Sequence, residues 1–172
     1  MPRYVAFLRG VSPTNAKMTD LVRCFTEAGF TDVKTVLASG NVIFTARDAA
    51  ARVKLEARVE RVIAEGVGRR FPTIVRSQDQ LAALVASDPF AKLDVPADAK
   101  RVITFLRQAP ARAPRLPIEQ DGAVILKLAG TEVLTAYQPS PKGPVFMTLL
   151  ERTFGHDITT RTLATVEKCA RA

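Results

Sequence analysis

The sequence predicts an α+β protein built in two parts. Two observations carry that prediction. Short runs of strand-forming residues alternate with segments whose apolar residues recur three and four apart, the spacing of one helix face. The first four strand-like runs are split by two such helical segments in the order β-α-β-β-α-β, the pattern of a ferredoxin-like unit. Residues 1–76 form this ferredoxin-like part. Residues 77–172 form a smaller antiparallel α+β part packed with it into one compact unit.

The elements follow in order. Arg3–Arg9 is apolar and reads as a buried strand. Met18, Leu21, Val22, Phe25 and Ala28 mark a helix that Gly29 ends. Asp32–Ala38 is the second strand, and Val42–Thr45 returns antiparallel after a tight turn at Ser39-Gly40-Asn41, residue types that accept the turn geometry. A helix is expected from Asp48 to about Val67, then a strand over 72–76. Ser77 and Gln80 stand at capping-box spacing before Leu81, Leu84 and Val85, so a third helix opens there. Asp94–Ala99 reads as a linker. Strands are expected at Lys100–Leu106, Ala123–Leu128 and Glu132–Tyr137. A helix is expected at Pro144–Phe154, with proline in its first turn, and a last one from about Thr160 to Ala170.

Composition excludes several function classes. The chain has 172 residues, 25 Lys plus Arg and 17 Asp plus Glu, hence a net charge of +8. A single histidine, His156, rules out a zinc site made of several histidines. Cys24 and Cys169 have no paired spacing, so neither a disulfide framework nor a CxxC redox motif is present. No apolar run approaches the ~20 residues of a membrane span, and Met1-Pro-Arg-Tyr-Val5 opens on a strand pattern instead of a signal peptide. The expected setting is cytoplasmic. No P-loop, dinucleotide fingerprint or metal-ligand cluster occurs, so no cofactor and no metal are expected.

The positive charge is spread along the chain, except that residues 99–118 carry Lys100, Arg101, Arg107, Arg112 and Arg115 with no acid. Arg107, Arg112 and Arg115 on this Pro-stiffened segment are the candidates for touching nucleic-acid phosphates, although the aromatic interleaving of single-strand binders is missing. His156 beside Asp157, or Ser39, is the candidate for catalysis, although no GxSxG elbow accompanies either. Cys24 reads as a buried or half-buried thiol, and Cys169 as an exposed one.

The candidate ligand site is Arg9, Gly10, Ser39, Gly40, Asn41, Thr160 and Arg161. In a β-α-β-β-α-β sheet the first and third strands are antiparallel neighbours, so Arg9-Gly10 comes beside Ser39-Gly40-Asn41. An arginine closing a buried strand needs a partner: an internal carboxylate such as Asp20 or Asp32, or an anionic ligand. Thr159-Thr160-Arg161 reads as a helix start, where amides would add to an anion site.

Three stretches together, Tyr4–Val11, Ala28–Phe44 and Asp157–Arg161, resemble a bacterial family catalogued as domain of unknown function 1697. The resemblance covers essentially the whole chain. It implies an α+β fold with a ferredoxin-like N-terminal part and implies no particular activity. Members commonly follow Leu-Arg-Gly with a loop containing Gly-Gly; here Val11–Lys17 has no glycine. Asn and Trp often follow Thr-Thr-Arg in the family, where this chain has Thr162 and Leu163.

The expected function is therefore a binding module for an anionic or phosphate-bearing small ligand. The alternatives are nucleic-acid binding through the basic surface and a small enzyme using His156 or Ser39. The sequence leaves the oligomeric state open.

Overall fold

The structure is a computed structural model that describes residues 1–47 and 51–172. The expected helix start at Asp48 lies outside these residues. The chain is α+β, with two antiparallel sheets and, among the described residues, five helices. It divides into two units, Met1–Ala86 with Glu167–Ala172, and Ser87–Val166.

The first unit runs β1 (Arg3–Leu8), α1 (Met18–Glu27), β2 (Thr31–Thr35), β3 (Asn41–Thr45), α2 (Arg52–Val67), β4 (Thr73–Ser77) and α3 (Gln78–Ala86). Its strands pair in the order β2-β3-β1-β4. β1 is central because all its residues from Val5 to Leu8 are buried and need cover on both sides. Ala6 and Leu8 of β1, Val42 and Phe44 of β3 and Val75 of β4 share one core with Leu21 and Phe25 of α1 and Leu55, Val59 and Ile63 of α2. Phe25, Phe30 and Phe44 meet there with ring centroids 4.7–5.7 Å apart. Alternation places Val5, Phe7, Ile43 and Ile74 on the opposite face, where they are also buried.

β4 is an edge strand, and α2 covers its outward amides. Glu56 Oε2 accepts from the Val75 N–H at 2.8 Å, and Glu60 Oε1 from the Thr73 N–H at 2.9 Å. Two carboxylates one helical turn apart thus match two amides one strand period apart. A bare edge would be a template for foreign strands.

The expected capping box forms. Gln80 N–H donates to Ser77 Oγ at 3.1 Å, and Ser77 N–H to Gln80 Oε1 at 3.0 Å. α3 packs on β1 and β4, and residues 77–86 fall within the first unit. The C-terminus also returns to this unit, where Gln78 Nε2 donates to the carbonyls of Cys169 and Ala172 at 3.0 and 2.7 Å. Cys169 is consequently buried, not exposed as expected.

The second unit holds β5 (Lys100–Leu106), β6 (Ile118–Gln120), β7 (Ala123–Ala129), β8 (Glu132–Tyr137), α4 (Val145–Phe154) and β9 (Ile158–Thr162), with the start of α5 (Leu163–Arg171). The strand order is β6-β7-β8-β5-β9. Leu149 and Leu150 of α4 pack on Leu106, Ala123, Ile125, Val133 and Ile158.

Two strands here differ from expectation. Ile118–Gln120 pairs with β7 across a turn at Asp121-Gly122, both at positive φ. Ile158–Thr162 extends along β5, from Ile158 opposite Leu106 to Thr162 opposite Val102. The last helix therefore starts at Leu163, not near Thr160, and its cap is Thr162, whose Oγ1 accepts from the Thr165 N–H at 3.3 Å.

Candidate functional site

β1 runs antiparallel to both β3 and β4, with Phe7 opposite Asn41 and Leu8 opposite Thr73. The end of β1 therefore meets the segments that lead into both neighbours. Leu8 N–H donates to the Gly40 carbonyl at 2.9 Å, and Arg9 N–H to the Pro72 carbonyl at 2.8 Å. Three segments, 9–17, 36–40 and 69–72, are thus gathered at one end of the four-stranded sheet. Together they hold Arg9, Lys17, Arg69 and Arg70 and no carboxylate.

The loop after β1 is closed by Asn15. Its Nδ2 donates to the Gly10 carbonyl and its Oδ1 accepts from the Ser12 N–H, both at 2.8 Å. An asparagine side chain here does, in a loop with no glycine beyond Gly10, what backbone turns usually do. Gly10 itself has φ +85° and is exposed.

The Ser39-Gly40-Asn41 segment differs from a two-residue turn. β2 ends at Thr35, and residues 36–40 form a longer loop closed by the Val36 N–H donating to the Asn41 carbonyl at 3.0 Å. Gly40 takes the positive φ of +86°, and a Cβ there would stand 3.0 Å from Val11 Cβ and 3.1 Å from Leu8 Cβ. Only glycine lets this loop lie down on the end of β1. Asn41 is the first residue of β3 and fully buried. Its Nδ2 donates to the Val36 carbonyl at 2.9 Å and to Ser39 Oγ at 3.1 Å, so it holds the loop from beneath. Ser39 is exposed and Arg9 half-buried.

Asp20 pairs with Arg23 at 3.3 Å, and Asp32 Oδ2 accepts from Thr45 Oγ1 at 3.4 Å. Arg69 lies over the Phe71 ring at 5.3 Å, and Arg70 pairs with Glu60 at 3.2 Å.

Thr160 and Arg161 belong to the second unit, on a strand instead of a helix start. Thr160 pairs with Thr104 and Arg161 with Ile103, so their side chains leave opposite faces of the sheet. Arg161 Nη1 donates to Thr159 Oγ1 and to the Thr160 carbonyl, both at 2.8 Å. The two residues do not converge on one group as a helix-start motif would.

His156 and Asp157, the candidate catalytic pair, do not contact each other. His156 Nδ1 lies 2.9 Å from Glu151 Oε2 and its side chain is 83% exposed. Asp157 instead accepts from Arg107 Nε at 2.8 Å. The same contact occupies Arg107, leaving Arg112 and Arg115 as the exposed cations of the Pro-rich segment. Among the described residues no group of three or more His, Cys, Asp or Glu is placed to hold a metal ion. Among them, too, no helix is long and apolar enough to cross a membrane.

Sequence reasoning missed Lys17, Arg69 and Arg70. Their signal was available, because the antiparallel argument that placed residue 40 beside β1 also places the entry to β4 there.

The family described as "Protein of unknown function (DUF1697)" matches residues 1–133, and the chain belongs to it. The fold is similar to that of the conserved bacterial protein SP0830 from Streptococcus pneumoniae. That likeness has a TM-score of 0.69 at 20% identity and covers 99% of this chain and 97% of that one. No curated protein matches the chain.

Proposed function

We propose that the protein is a binding module for an anionic or phosphate-bearing small ligand, received at the end of β1. The observation that carries this reading is the gathering of segments 9–17, 36–40 and 69–72, which hold four cations and no carboxylate of their own, while Glu60 of α2 takes one of the four, Arg70. Such an excess of positive charge attracts anions. Arg9 is the central contact, since its planar fork can hold two oxygens at once. The exposed Gly10 lets backbone approach a ligand closely, and Ser39 adds a hydroxyl. Gly40 and Asn41 position the loop that carries Ser39.

The element order and the strand order β2-β3-β1-β4 support a ferredoxin-like reading of the first unit. The buried thiols of Cys24 and Cys169 suit a reducing, cytoplasmic setting, and the likeness to a streptococcal protein suits a bacterial one.

Thermal unfolding with inorganic phosphate, pyrophosphate and adenosine monophosphate tests the function. At least one of these should raise the melting temperature in a saturable manner. Arg9→Ala should remove that rise while the ligand-free protein still folds, and Arg9→Lys should keep part of it. No saturable rise with any probe, or an unchanged rise in Arg9→Ala, overturns the reading. A random oligonucleotide that binds with a steep salt slope would favour nucleic acid through Arg112 and Arg115 instead.

A further inference from the structure

The second unit contains a cavity of about 280 Å³ between β7, β8 and the loop that leads into α4. It is independent of Arg9 and its neighbours. Four of its lining residues carry rings, and polar and aliphatic groups make up the rest. Tyr137 and Phe146 stack with centroids 4.5 Å apart and planes 17° from parallel, and Pro139, Pro144 and Met147 stand beside them in the lining. All three residues of the first α4 turn, Val145, Phe146 and Met147, are apolar and only half-buried. Leu149 and Leu150 in the next turn supply the buried side of the helix.

One polar feature marks the rim. Asp121 lines the cavity and its Oδ1 takes the Lys142 ammonium at 2.9 Å, joining the β6–β7 turn to the β8–α4 loop. Both side chains are substantially exposed, 35% and 68%, so the pair is weakly held and readily exchanges partners. A cavity lined by rings and by the Asp121 carboxylate, with the Lys142 ammonium 2.9 Å from that carboxylate, is complementary to a ligand that carries a ring, a carboxylate and an ammonium. The volume admits a single ring system with a short polar end.

We propose that this cavity binds a free aromatic α-amino acid. The ring enters between Phe146, Met147 and the prolines. The carboxylate goes to Lys142 and the ammonium to Asp121, so the ion pair opens into a four-charge cluster in which each group keeps an opposite partner. Ser140 Oγ, which accepts from the Lys142 N–H at 3.1 Å, retains its proton for the carboxylate.

The composition supplies a reporter. The chain has no Trp and two Tyr, and Tyr4→Phe leaves Tyr137 as the only tyrosine. Phenylalanine titrated into the Tyr4→Phe protein should change Tyr137 emission saturably. Phenethylamine, which lacks the carboxylate, and 3-phenylpropanoate, which lacks the ammonium, should each bind about tenfold or more weakly. Cyclohexylalanine, which keeps both charges on a puckered ring, should also bind more weakly. Lys142→Met should abolish the advantage of phenylalanine over phenethylamine. Asp121→Asn should abolish its advantage over 3-phenylpropanoate; Asn is chosen because Asp121 has φ +48°, which Asn tolerates. Unchanged melting temperatures in both variants confirm that the fold is kept. The proposal is overturned if phenylalanine gives no saturable change, if either fragment binds as tightly as phenylalanine, or if cyclohexylalanine does.

Discussion

Gly66 on α2 faces the sulfur of Cys24 on α1, which occupies the space that a side chain at residue 66 would need. The two helices approach closely because one contributes no side chain at this point and the other contributes a small, apolar thiol. Cys24 is 2% exposed, so the contact belongs to the interior.

Gly66→Ala should therefore destabilise the protein, against the usual trend. A mid-helix glycine replaced by alanine normally gains roughly 0.5–1 kcal/mol. Overpacking a tight interior contact costs roughly 1–3 kcal/mol, and Gly66 stands one residue from the end of α2, where the propensity gain is smaller, so the net loss should be up to about 2.5 kcal/mol. In Cys24→Ala the sulfur is gone and the Cys24 Cβ stands at an ordinary 3.5 Å, so there Gly66→Ala should be neutral or stabilising. Urea unfolding of the four proteins gives the coupling. Equal effects in both backgrounds would show that the sulfur does not limit the approach.

The same thiol predicts a pH dependence. Burial raises the Cys24 pKa above its ordinary 9.0; the nearby Arg23 opposes the shift, while Glu27 and Asp20 add to it. The folded state thus retains the proton more strongly than the unfolded chain. Its contribution to stability is complete below about pH 9 and is lost as pH rises toward the folded value. Stability measured by denaturant should fall more steeply above pH 9 in the natural chain than in Cys24→Ala. Parallel profiles would contradict the assignment.

The edge of the first sheet gives a third prediction. Glu56→Ala removes a buried acceptor from the Val75 N–H and leaves that amide without it, a loss of about 1–3 kcal/mol. The loss should appear in stability, and amide exchange at Val75 should quicken more than at Val5 in central β1. Glu56→Gln keeps an acceptor and should fall between the two. Unaltered exchange at Val75 would mean that α2 does not protect the edge.

Local rules made much of the first unit legible. The Ser77–Gln80 capping box depends on a three-residue spacing, and it forms. Helix α1 begins at the expected Met18, because its apolar residues recur at helical spacing and need no partner to be recognised. The proximity of Arg9 to Gly40 followed from antiparallel pairing alone.

What failed depended on distant partners. Ile158–Thr162 is rich in threonine, which serves a strand or a helix cap equally well. It is a strand because β5 offers an unpaired edge, and the capping role passes to Thr162. That shift sends Thr160 and Arg161 to opposite faces. Asn41 has a turn-forming identity but is buried at the head of β3, where its amide serves Val36 and Ser39. His156 and Asp157 are adjacent in sequence, yet Glu151 and Arg107 claim them separately.

The sequence by itself determined the α+β class, the order of the first elements, the charge and the absence of familiar catalytic motifs, since each is written in composition or short-range periodicity. Tertiary structure decided which cations share one end of the first sheet, which strand closes the second, and that Tyr137, Phe146 and Asp121, with Lys142 paired to it, come together around one cavity. The physical reason is range. Helix faces and caps are set by neighbours within a turn, whereas strand edges and cavities are set by residues that only folding brings together.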